Sequence, residues 1–142
     1  MGSQEPAGTA ALISNGRGEY LLHLRDNIPG ICDPGAWSLL GGGRDSDEES
    51  PEDAVARELK EEAGLVLPDL RAYAVVSAHG PEGEGRITVF VGHWDGDAGE
   101  IALTEGVMVH WFPASTLPRL VMAPWARAVI ERYERERPEP MA

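Results

Sequence analysis

The sequence predicts an α/β fold, with a mixed β-sheet covered by helices on both faces. Three observations carry this reading. Short apolar segments bounded by Gly, Pro and Asn recur along the chain, as strands do. Two longer segments, following Ser50 and Pro124, repeat apolar residues every fourth position, as buried helix faces do. The order is strands, helix, strands, helix, which places a helix against each side of one sheet.

Thr9 to Ser14 reads as an apolar strand. Asn15-Gly16-Arg17-Gly18 is a turn by composition, because Asn and Gly tolerate positive φ. Glu19 to Arg25 is the second arm of the hairpin. Asn27 to Ala36 is a loop, rich in Pro and Gly. Trp37 to Leu40 is a short apolar stretch running into Gly41-Gly42-Gly43, read as a loop.

The helix that follows has the clearest ends. Ser50 is a good N-cap, Pro51 takes the first helical position, Asp53 completes a capping-box-like pattern, and Gly64 suits the C-terminal cap. Val55, Leu59 and Ala63 form its core stripe; Arg57, Glu58, Glu61 and Glu62 lie off it. Leu70 to Ala78 and Arg86 to Trp94 read as strands joined by a loop from His79 to Gly85. Asp95 to Glu100 is a further loop, and Val107 to Phe112 a strand. Ser115 to Arg119 is a short helical turn. Pro124 to Arg135 is a second helix, with Trp125, Val129 and Tyr133 on one face beside Ile130.

A chain of 142 residues predicts a single domain over 1–142, with residues 1–7 and 137–142 as flexible tails. Its net charge of −12 argues against a basic groove for DNA or RNA, so no nucleic-acid polymer is expected as a partner. A small phosphorylated ligand remains open, because a metal ion can supply the positive charge. Cys32 is the single cysteine, which excludes an internal disulfide and fits a cytoplasmic location. No apolar run is long enough for a membrane span, and the N-terminal residues lack a signal-peptide pattern.

Glu58, Glu61 and Glu62 are helix neighbours at spacings of three and four, so their like charges crowd one face. A solvated surface tolerates that, and so does a bound divalent cation. Magnesium takes oxygen ligands, usually a few carboxylates with water and phosphates completing the shell. Glycines just upstream let backbone approach the same ion or the phosphates.

Gly43, Glu49, Arg57, Glu58, Leu59, Glu61, Glu62, Gly64 and Leu65 fill every specified position of G-x5-E-x7-R-E-U-x-E-E-x-G-U, with U apolar. On these residues the chain resembles the Nudix hydrolases. The match covers about a sixth of the chain. It extends more loosely to the opening hairpin, to Trp37 ahead of the glycines, and to Glu105-Gly106 before Trp111. The usual proline before the glycine pair is absent, and the run reads Leu40-Gly41-Gly42-Gly43.

The resemblance implies an α/β/α sandwich and Mg²⁺- or Mn²⁺-dependent cleavage of a pyrophosphate bond in a nucleoside diphosphate linked to another group. It assigns metal binding to Glu58, Glu61, Glu62, the carbonyl of Gly43 and a later-loop residue, Glu105. It makes Arg57 and Glu49 supporting site residues, and Arg25, Gly42 and Gly43 phosphate contacts. It leaves the general base open between Glu61 and Glu105. The leading substrate is a nucleoside triphosphate, oxidised or noncanonical ones included, since the chain is little more than the minimal domain. Sugar nucleotides and ADP-ribose-like dinucleotides come second. A non-catalytic nucleotide sensor and a diphosphate isomerase are the rival classes. Specificity is expected in the loops at 27–36, 79–85 and 95–105. The residues leave the assembly open between monomer and homodimer. No role is expected for His23, His79, His93 or His110, and Trp37 and Trp111 are expected to pack rather than to stack on a base.

Overall fold

Thr9 to Ile13 are all buried, and a strand apolar on both faces must be covered on both. In the computed structural model, which describes residues 6–80 and 83–137, that strand lies inside a seven-stranded sheet. The strands are β1 (Gly8–Ser14), β2 (Glu19–Leu24), β3 (Trp37–Ser38), β4 (Leu40–Gly43), β5 (Arg71–Gly80), β6 (Gly83–His93) and β7 (Met108–Pro113). The helices are α1 (Pro51–Ala63) and α2 (Pro124–Glu136), with short 3₁₀ turns at Ala98–Glu100 and Ala114–Arg119.

β1 pairs in parallel with β6 along its full length, and β5 follows antiparallel on the far side. On its other edge β1 meets β2 only at Ser14↔Tyr20 before the two strands diverge. The segment from Trp37 to Gly43 fills the gap: β3 pairs with β2, and β4 pairs with β1 from Gly8↔Gly43 to Ala11↔Leu40. β7 lies antiparallel on β2. One parallel pair among antiparallel ones makes the sheet mixed.

Alternation along β1 splits the core in two. Ala11 and Ile13, with Leu21 and Phe90, pack under Val55, Leu59 and Ala63 of α1. Ala10 and Leu12, with Tyr20, Leu22 and Val89, pack under Ala126, Val129 and Ile130 of α2. The sheet is therefore covered on both faces, as the pattern predicts. Trp37 and Phe112 pack edge to face, and Trp111 stacks on Trp94, so both tryptophans serve packing.

The ends of α1 follow the local rules. The Ser50 hydroxyl accepts from the Asp53 N–H at 3.0 Å, and Gly64 caps the other end at φ 68° with its N–H on Lys60 O. Two expectations change. The glycine run is not a loop but strand β4, because its backbone completes the ladder with β1. His79, Gly80 and Gly83 to Gly85 are strand rather than loop as well: the β5–β6 ladder continues through His79↔Glu84 to Gly80↔Gly83. The expected tail residues 1–5 and 138–142 lie outside the described residues. Pro6 and Ala7 are tied down by Arg44, and Arg137 by its N–H on Tyr133 O.

Gly41 shows why this segment needs glycine. Its φ is +152°, and a Cβ there would stand 2.2 Å from the Thr9 carbonyl oxygen. Gly41→Ala is therefore expected to destabilise the protein by at least about 1–3 kcal/mol. Urea denaturation tests this, and an unchanged midpoint would refute the close approach.

Candidate functional site

A polar cleft of about 560 Å³ opens where the β4 glycines, the exposed side of α1, the end of β2 and the 104–106 loop meet. Arg25, Gly41, Gly42, Gly43, Glu58, Glu61, Glu62 and Glu105 line it. Residues far apart in the sequence are thus gathered at one site. Glu49 and Arg57 do not line the cleft; they support it from α1 and the loop before it.

Glu62 is the unusual member. The sequence pattern leaves it off the core stripe of α1, yet it is only 6% exposed. β4 explains the difference. Its residues carry no side chains at the crossing point, so the helix settles close upon it. The Gly41 N–H lies close enough to the carboxyl to favour its charged form. One carboxyl oxygen, Oε1, has no hydrogen-bond partner. Burial pushes the carboxyl up to about 7, and the nearby charges of Glu58 and Glu105 push the same way. The Gly41 N–H and the Arg25 charge oppose the shift without cancelling it.

Glu58 lies one turn earlier, directly over Gly42. A Cβ at Gly42 would stand 2.5 Å from the Glu58 carboxyl carbon, so glycine lets this carboxylate rest where it does without shifting.

Arg57 organises the acidic residues around it. Its Nε and Nη2 grip the two oxygens of Glu49 at 2.8 and 2.9 Å. Its Nη1 donates to Glu58 at 3.0 Å and Glu61 at 3.2 Å, and its Nη2 to the Gly43 carbonyl at 3.0 Å. The paired fork, together with the Asp45 N–H, holds the Glu49 carboxyl down at about 2. The Gly43 carbonyl thus faces Arg57, while the Gly42 carbonyl accepts from the Thr9 hydroxyl at 2.8 Å.

Arg25 anchors its Nε on the Cys32 carbonyl at 2.7 Å and borders two clefts. The second is larger, about 670 Å³, and mainly apolar. Leu39, Ile87 and Trp125 line it, with Asp33, His79 and Glu84 as polar groups on its rim. The two clefts share Arg25, Ile31, Gly41 and Gly42. Of the three loops expected to face a ligand, 27–36 and 79–85 contribute to the larger cleft. In the third, Thr104 and Glu105 line the carboxylate cleft, while Ala98, Ile101 and Leu103 pack into the core on the α1 side.

Among the described residues, no three carboxylate, imidazole or thiol groups stand as a ready-made ion cage. Glu58 and Glu61 turn to Arg57 instead. A divalent cation nonetheless fits the site: the orphaned Glu62 oxygen is an acceptor needing a positive partner, and its neighbours are carboxylates, the ligand type magnesium takes.

The local sequence does not reveal Gly41 beside Glu62, Thr9 as a clasp on Gly42, or His23 and Asp26 beneath Glu105. These pairs lie 21 or more residues apart, in elements brought together only in three dimensions, and no local pattern encodes them.

The Glu62 carboxyl releases its proton near 7 in the folded protein, against 4.5 ordinarily. Between these values the folded chain holds more protons than the unfolded one, so stability falls as pH rises. Without metal, the wild type should therefore lose stability relative to Glu62→Gln on going from pH 5 to pH 8. Urea midpoints in EDTA report this, and an identical difference at both pH values would contradict it.

The NUDIX domain family model matches residues 4–133. Among solved structures, the MutT protein from Methanosarcina mazei Go1 superposes with a TM-score of 0.80, at 27% identity over 96% of this chain and 97% of that one. The MutT NUDIX hydrolase from Burkholderia pseudomallei superposes at 0.74, with 28% identity over 91% and 98%. An RNA pyrophosphohydrolase of Gluconacetobacter diazotrophicus is 44% identical over 57 residues, which are 38% of this chain and 34% of that protein. The chain thus spans about a third of that relative's length.

Proposed function

The chain belongs to the Nudix family, and on that footing we propose that it is a Mg²⁺- or Mn²⁺-dependent hydrolase that cleaves a pyrophosphate bond in a nucleoside triphosphate. The observation that carries this reading is Glu62, a buried carboxylate with one oxygen unbonded, in a carboxylate-lined cleft that shares Arg25, Ile31, Gly41 and Gly42 with an apolar one. A polyphosphate beside the carboxylates with a cation, and a nucleoside in the larger cleft, match the two chemistries.

The cation, when bound, neutralises phosphoryl charge and acidifies water. Glu58, Glu61 and Glu62 would hold it, with Glu105 and the Gly43 carbonyl as further oxygen donors. Arg25 stands at the shared wall, where it meets phosphate oxygens and orients the chain of phosphates. The backbone of Gly42 and Gly43 lets those phosphates come close, since no side chain intervenes. Water attacks one phosphorus, the bond to the bridging oxygen breaks, and that oxygen leaves with the electron pair. Glu61 or Glu105 takes the water's proton. Arg57, held by Glu49, keeps Glu58 and Glu61 aligned through two charge-assisted bonds. With little covalent work for the protein, positioning and charge supply most of the rate.

Sugar nucleotides and ADP-ribose-like dinucleotides are the second substrate class, since the larger cleft would hold their second group. The named activity of the RNA relative makes 5′-triphosphorylated RNA a necessary comparison; the charge of −12 disfavours a polymer. An isomerase built around Cys32 is disfavoured, because that exposed thiol borders the apolar cleft and not the carboxylates. One exposed thiol suits a reducing cytoplasm. Among the described residues, no helix is long and apolar enough to cross a membrane.

The test is phosphate and pyrophosphate release across a panel of nucleoside triphosphates, sugar nucleotides, dinucleotides and triphosphorylated RNA with Mg²⁺. A triphosphate should be turned over best, and Glu62→Gln should lose at least about 100-fold. Calorimetric binding with no turnover above that variant would favour the sensor instead. Arg57→Lys keeps the charge but loses the fork on Glu49, so its activity should fall by about 10–100-fold. A variant with full activity would show that the fork is dispensable.

A further inference from the structure

Glu105 sits in a loop, yet that loop is fastened at every step from 104 to 107. The Thr104 N–H donates to Glu62 O at 3.2 Å, and the Thr104 hydroxyl donates to Glu61 O at 3.3 Å. His23 Nε2 stands 3.0 Å from the Glu105 carbonyl oxygen. The Gly106 N–H donates to Asp26 Oδ2 at 3.1 Å, and the Val107 N–H donates to Leu24 O at 2.8 Å. A carbonyl oxygen only accepts, so His23 carries a proton on Nε2. Its ring is 3% exposed and packs against Gly106, where φ is +86° and a Cβ would stand 2.0 Å from Nε2. The ring therefore fills the space that the glycine leaves and braces the loop from beneath.

We propose that His23 and Asp26 are positioning residues that hold the Glu105 carboxylate at the acidic cleft, across from Glu62. This rests on the reading of that cleft as a cation and phosphate site. β2 then contributes more than Arg25. Its end sets the distance between the loop carboxylate and the helix carboxylates, and the bonds of Thr104 tie the same loop to α1. A side chain on an untethered loop would spend part of its time away from the cleft; five fastenings remove that freedom before any ligand arrives.

The experiment uses the full chain and Mn²⁺ alone as the probe, with binding read by electron paramagnetic resonance. Wild type, His23→Ala, His23→Gln, Glu105→Gln and the His23→Ala/Glu105→Gln double variant are compared. His23→Ala should weaken Mn²⁺ binding by about 10-fold or more, as losing a supporting partner of a metal ligand does. Glu105→Gln should weaken it similarly, and the double variant no further, because both act through one carboxylate. His23→Gln should restore binding, since its amide N–H reaches a similar point. Amide exchange at Gly106 and Val107 should quicken in His23→Ala and recover in His23→Gln. For triphosphate turnover, kcat should fall with KM little changed.

Additive losses in the double variant would overturn the proposal, as would wild-type Mn²⁺ affinity in either single variant. Should His23→Ala fail to fold, Asp26→Ala, at the half-buried edge of the loop, is held to the same outcomes. Absent turnover on every nucleotide would defeat the proposed function, while the Mn²⁺ and exchange results would still decide the role of His23 and Asp26.

Discussion

Burial of the Glu62 carboxylate is the constraint on which the site depends. A charge removed from water needs a partner, or it takes up a proton. Glu62 has only the nearby Gly41 N–H and the Arg25 charge in its favour, and faces the negative charges of Glu58 and Glu105. Each requirement of that arrangement reaches back to the fold. The helix must lie close to β4, so β4 must be glycine at the crossing. β4 must also be a strand, so β1 and β2 must diverge and let it in. A carboxylate kept in such surroundings is poised for a divalent cation, which satisfies the open oxygen and reverses the direction of the shift.

Arg57 addresses the opposite difficulty. Glu49, Glu58 and Glu61 would repel one another, and a single guanidinium bonds to all three. Its planar fork suits Glu49, and its Nη1 reaches the adjacent Glu58 and, one turn on, Glu61. The acidic residues thus fall into two groups. One is neutralised by the protein itself around Arg57, and the other, led by Glu62, is not. Glu58 touches both, bonded to Arg57 on one side and close to Glu62 on the other.

Much of this was legible in the residues. The caps of α1, its core stripe of Val55, Leu59 and Ala63, the opening hairpin and the face of α2 all follow from local chemistry, and they appear where it puts them. The spacing of Glu58, Glu61 and Glu62 put three carboxylates on one helix. What the sequence did not show is depth. Glu61 stands in solvent and Glu62 is buried, although they are neighbours in the chain, because the sheet approaches the helix from one side only. The glycine run misled in the same way. Glycine is weak in strands as a propensity, but here close contact with Thr9 and Glu58 decides, and the backbone of β1 supplies the pairing. His23 carried no local signal at all, since its partner lies 82 residues away.

The most direct test of the central claim is the titration of the Glu62 carboxyl carbon by ¹³C NMR, assigned by its loss in Glu62→Gln, without and with saturating Mg²⁺. The midpoint should lie near 7 in the cation-free protein and fall below the ordinary carboxylate value once Mg²⁺ is present. A midpoint at the ordinary value without cation, or one that Mg²⁺ leaves in place, would contradict it.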